Sequence, residues 1–155
     1  MHKYNTVAQM RNSVGPSNLN FIGSIDTLNL LTKITNFYCG YCENITGDIE
    51  TTCVNWSRLY YIQMMFARWS SSSNWYSTHN IDGSGSDKIY GNISVFTDKY
   101  DLKWIQIMRY SNIIGEVKDL KNLKKLTYFN LDECGCTGSQ ADLYNNGANL
   151  TTFRV

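Results

Sequence analysis

Apolar residues recur at every third position in two stretches of the chain. In IDTLNLLTKITNF, residues 25–37, they are Leu28, Leu31, Ile34 and Phe37; in VKDLKNLKKLTYF, residues 117–129, they are Leu120, Leu123, Leu126 and Phe129. An α-helix does not produce this pattern. At about 3.6 residues per turn, each step of three slips by roughly 60° around the axis, so no single apolar stripe forms. A β-strand needs a period of two. The pattern suits a chain that turns corners and sends one side chain inward at each corner.

Glycines place these corners. Gly23, Gly47, Gly91, Gly115 and Gly138 each follow a short, mostly apolar stretch, with separations of 24, 44, 24 and 23 residues. The separation of 44 is one period plus an insertion. Downstream of each glycine comes a strand-like segment: ITNFYCGYC, LYYIQMMFA, LKWIQIMRY, LTYFNLDEC and LTTFRV. Each has apolar residues at its first, fourth and sixth positions. Self-similarity at this period predicts a solenoid, in which stacked units bury what one unit cannot.

The stretch GEVKDLKNLKKLTYFNLDECGCTG, residues 115–138, resembles the leucine-rich repeat family, in its 24-residue class with Gly-x-(Ile/Val) after the strand. The similarity spans residues 20–155 apart from 70–88. It implies a right-handed leucine-rich-repeat coil of α/β type, with a parallel concave β-sheet and an irregular or short-helical convex side. Residues 1–19 are then an N-terminal cap or arm. Residues 70–88, SSSSNWYSTHNIDGSGSDK, form an inserted Ser/Gly-rich loop or a degenerate repeat, with Trp75 and Tyr76 able to wall a site.

Alternation along the strands separates two sets. The inward set (Ile34, Phe37, Cys39; Leu59, Ile62, Met64; Leu102, Ile105, Ile107; Leu126, Phe129, Leu131; Leu150, Phe153, Val155) is apolar. The outward set mixes aromatics with amides. From it, Tyr38, Tyr61, Gln63, Trp104, Gln106, Tyr128, Asn130 and Asp132 are the candidate binding residues. Their rings would supply contact area and their amides direction. The same aromatics are also what cross-strand pairing on any sheet would use.

Composition narrows the reading. Fourteen basic and 13 acidic residues give a net charge of +1, without the basic bias of a nucleic-acid or membrane-surface binder. No apolar run reaches the length of a membrane-spanning helix, and the first residues lack a signal-peptide core. The expected location is cytoplasmic, or a particle assembled in a cytosol. Five cysteines cannot all pair with one another. Cys39-Gly-Tyr-Cys42 and Cys134-Gly-Cys136 have metal-like spacing, but their register favours structural thiols over a metal or redox site. His2 and His79 lie in no catalytic motif. The expectation is a non-enzymatic module with no cofactor, catalytic group or metal, which binds a protein or glycan through the concave aromatic/amide face. The alternative is a structural subunit of a larger assembly, such as a bacteriophage virion or fibre, that self-associates through its C-terminal strand.

Overall fold

The computed structural model describes residues 7–11, 22–40, 44–65, 87–143 and 150–155. In chain order the elements are β1 (Val7–Arg11), β2 (Ile22–Ser24), β3 (Asn36–Gly40), β4 (Asn44–Asp48), the single short helix α1 (Ile49–Cys53) and β5 (Tyr61–Met65). They continue with β6 (Ile89–Asn92), β7 (Trp104–Met108), β8 (Ile113–Glu116), β9 (Tyr128–Asn130), β10 (Gly135–Thr137) and β11 (Thr152–Arg154). Four one-turn 3-10 helices begin at Ile25, Ile93, Val117 and Gln140.

These strands build two flat, all-parallel sheets. One has six strands in the order β1-β3-β5-β7-β9-β11, and the other has five, β10-β8-β6-β4-β2. The chain alternates between them, so strands adjacent in sequence never pair with each other. This overturns the leucine-rich-repeat assignment and its right-handed coil with one concave sheet. The physical reason lies in the glycine segments. Ile22-Gly23-Ser24, Ile89-Tyr-Gly91-Asn92 and Ile113-Ile-Gly115-Glu116 were expected to be turns, and they are paired strands of a second sheet. The face expected to be irregular is therefore itself a sheet. The inserted segment at 70–88 falls outside the described residues up to position 86, as do Trp75, Tyr76, His79, His2 and Cys42. Within the expected cap, 1–19, only β1 is described.

Between the sheets lies one hydrophobic core. The six-stranded sheet contributes Phe37, Ile62, Met64, Ile105, Ile107 and Phe129, all fully buried. Ile45, Ile89 and Ile113 face them from the other sheet, and Ile25, Ile49, Ile93 and Val117 fill the corners. Each such side chain stabilises the fold by about 1.5–3 kcal/mol through burial. Trp56 is also enclosed: its ring packs 5.1 Å from that of Phe37, and its indole N–H donates to the Leu28 carbonyl at 3.3 Å. The inward set follows the expected alternation except in the last segment, where Leu150 and Phe153 are half-buried and Val155 is exposed.

The exits from β2, β4 and β6 are each fixed by a side-chain cap, which Glu116 at the end of β8 does not provide. Ser24 Oγ accepts from the Asp26 N–H at 3.1 Å, Asp48 Oδ1 from Glu50 at 2.8 Å and Asn92 Oδ1 from Ser94 at 2.8 Å. Successive layers are also stitched together. The Asp48 N–H donates to Asp26 Oδ1 at 2.8 Å, and the Asn92 N–H to Glu50 Oε2 at 3.1 Å. The preceding glycine lets the layers approach. At Gly91, with φ +122°, an added Cβ would lie 2.5 Å from Asp48 Oδ1 and 2.8 Å from Ile49 Cγ1. Gly23, at φ +147°, has nothing within 4 Å of that position.

Candidate functional site

The outward face of the six-stranded sheet holds most of the residues singled out from sequence. Register sets them in rows. Asn36, Tyr61, Trp104, Tyr128 and Thr152 are successive partners across the strands, and so are Tyr38, Gln63, Gln106, Asn130 and Arg154. Beside them, Met65 pairs with Met108.

The rings stack on one another. Trp104 and Tyr128 have centroids 3.7 Å apart with planes inclined by 3°; Tyr61 and Trp104 are 5.2 Å apart at 13°. Tyr38 joins the row diagonally, 4.7 Å from Tyr61. Tyr61 and Trp104 therefore have rings on both sides, and Tyr38 and Tyr128 end the row. The Trp104 indole N–H is buried with no acceptor among the described residues, which costs about 1–3 kcal/mol.

Along the strands, hydrogen bonds link residues two apart. Tyr61 Oη donates to Gln63 Oε1 at 3.1 Å, and Gln63 Nε2 donates to Met65 Sδ at 3.1 Å. Gln106 Nε2 repeats this on β7, 3.3 Å from Met108 Sδ. A thioether is a weak acceptor, so both amides keep unused donor capacity.

Two candidates depart from expectation. Asn130 is only 3% exposed, and its Oδ1 accepts from the Asp132 N–H at 3.0 Å, so it caps the chain reversal after β9. Asp132 lies beyond the end of β9 and reaches Arg154 of β11 at 3.7 Å. The concave aromatic/amide cradle as a whole is overturned, because no concave leucine-rich-repeat face exists to host it. Tyr38, Tyr61, Gln63, Trp104, Gln106 and Tyr128 do share one face, but a flat one.

The four described thiols lie within the protein. Cys39 and Cys53 are buried, Cys134 Sγ contacts the Ile107 carbonyl oxygen at 3.3 Å and Cys136 Sγ that of Ile113 at 3.5 Å. Burial pushes Cys134 up to about 11 and Cys136 to about 12, and raises Cys53 further. Among the described residues no three His, Cys, Asp or Glu side chains converge as metal ligands. No helix among them is long and apolar enough to cross a membrane.

Lys99 was not anticipated. It is 4% exposed, and its Nζ donates to the Val54 carbonyl at 3.0 Å. Burial lowers its pKa, with Cys53 and Asp98 acting in the opposite direction. It stands three residues before Leu102, as Leu31 stands before Ile34, Trp56 before Leu59 and Leu123 before Leu126. That register was the available signal: a lysine in an apolar series. No protein-family model, curated protein or solved structure matches the chain.

Proposed function

We propose that the chain is a non-enzymatic protein-association module whose contact surface is the flat outward face of the six-stranded sheet. The supporting observation is that this face is ordered before any partner arrives. Tyr61, Gln63 and Met65 are joined along one strand, Gln106 and Met108 along the next, and three rings are stacked across them with Tyr38 tilted against the first. A surface already fixed loses little side-chain entropy on binding. Tyr, Trp and Met are also the residue types enriched at interfaces. Because Tyr61 and Trp104 are covered by rings on both sides, a sugar could stack only at the ends of the row, and this favours a protein over a glycan. A second copy of the chain is one such protein. Arg154 of β11 hydrogen-bonds through its carbonyl to Leu131 on the side of β9, and no strand pairs with the other edge of β11 among the described residues.

The test compares three purified chains as baits against one extract: the natural chain, a Gln63→Glu/Gln106→Glu variant, and a Tyr90→Ser/Ile114→Ser variant of the opposite sheet. A partner kept by the third chain and lost by the second supports the reading. Loss with the third chain alone moves the surface to the five-stranded sheet, and no partner for any chain refutes association. Light scattering across a dilution series reads self-association separately.

A further inference from the structure

The geometry points to Met65 and Met108 as a paired methionine-oxidation site, in which each sulfoxide is held by the glutamine that already donates to its sulfur. The two side chains are register partners on adjacent strands β5 and β7. Both are half-buried on the outward face, whereas Met64, one residue away, is fully buried. An oxidant in solvent therefore reaches Met65 and Met108 and not Met64.

The chemistry is a two-electron oxygen transfer with a peroxide as co-reactant. A sulfur lone pair attacks one peroxide oxygen, the O–O bond breaks and an S–O bond forms. The other oxygen leaves as water after taking up a proton, so sulfur is oxidised and peroxide reduced. A thioether sulfur has two lone pairs, and Gln63 Nε2 or Gln106 Nε2 engages one of them, at 3.1 and 3.3 Å. The other is not engaged by that amide.

Oxidation normally places a polar group where an apolar one packed, and disrupts it. Here the outcome differs, because an amide donor stands beside each sulfur. A sulfoxide oxygen is a far stronger acceptor than a thioether, and a glutamine amide rotates easily about its last torsion. Tyr61 Oη holds Gln63 from its other end, at Oε1, which keeps the Nε2 group turned toward Met65. The modification thus changes an edge of the face from apolar to polar while leaving the sheet intact. It concerns chemistry on this face of the chain alone and does not require that a partner bind there.

The experiment is a hydrogen peroxide titration read by peptide mapping and by thermal melting. Met65 and Met108 should convert together, with Met64 slower by about tenfold or more. The doubly oxidised chain should melt within about 2 °C of the untreated one, as a change of well under 1 kcal/mol requires. In a Gln63→Ala/Gln106→Ala variant the same oxidation should lower the melting temperature by several degrees more. A Met65→Leu/Met108→Leu variant, which keeps the apolar volume, should melt unchanged after peroxide. Equal oxidation of Met64 would overturn the proposal. So would an oxidised natural chain that loses as much stability as the oxidised glutamine variant.

Discussion

Gly91 combines two constraints that Gly23 separates. Both have backbone angles that L side chains rarely adopt, but only Gly91 is also pressed against the layer before it. Gly23→Ala should cost about 1–3 kcal/mol from backbone strain alone. Gly91→Ala adds overlap with Asp48 and Ile49 and should cost more, about 3–5 kcal/mol. Urea denaturation of the two variants measures the difference, and equal losses would show that the close approach does not matter. Glu133 presents the opposite case. It sits at φ 59°, and its half-exposed carboxylate pairs with Arg109, whose side chain is only 13% exposed. Glu133→Gly relieves left-handed strain of about 1 kcal/mol but takes the carboxylate from Arg109, so it should gain less than that. Lys99→Met is expected to be stabilising too, by about 1 kcal/mol, because it spares the desolvation of a charge. The pH dependence identifies the cause. With its pKa depressed in the fold, Lys99 binds fewer protons there than in the unfolded chain as pH approaches its ordinary 10.5. Natural stability relative to the variant should rise across that alkaline range.

At the scale of elements, α1 and the stretch around β10 carry three of the four described thiols, and together they set a pH limit. Cys53, Cys134 and Cys136 all have folded pKa values above the ordinary 9.0, because burial disfavours the thiolate. A raised pKa stabilises the fold fully below the unfolded value, and that contribution is lost as pH rises through the folded one. Three thiols act in this direction against one lysine. The melting temperature should hold steady to about pH 8.5 and fall above pH 9. A flat profile to pH 11 would contradict the burial of these thiols. Strand interiors were legible in the sequence, since alternation alone assigned Phe37, Ile62, Met64, Ile105 and Phe129 to the core. The glycine segments were not. Ile-x-Gly-x is too short for a visible period of two, and its pairing partners lie more than 20 residues away. A signature read as a turn was therefore a strand, and a second sheet was missed. Asn130 was misplaced for a related reason: alternation sets a side chain's direction, but not whether the backbone beyond the strand needs a cap.

Across the whole molecule, two parallel sheets share one core, and every strand pairing is long-range in sequence. Such pairings must close large loops before they gain any contact, so folding should be slow for a chain of this size, in the range of about milliseconds to seconds. Stopped-flow refolding reads this directly; a microsecond phase recovering the full signal would be inconsistent with the topology. The candidate face was legible in composition and register but not in shape. Sequence spacing brought Tyr61, Trp104 and Tyr128 into one row, while the way their rings stack and their surface lies flat depends on strand pairing that spacing does not encode.

The strict alternation between sheets has a consequence for how the polypeptide could be divided. Since covalent neighbours lie in opposite layers, a break between Leu131 and Gly135 separates β9 from β10 without parting either from its hydrogen-bonded companion: β10 stays on β8, and β11 on β9. The two pieces would grip each other along both layers. The backbone here serves as a tether that sets local concentration, and the hydrogen-bonded rows carry the cohesion, so a pair of separately made fragments is the natural minimal form in which this architecture could be reassembled.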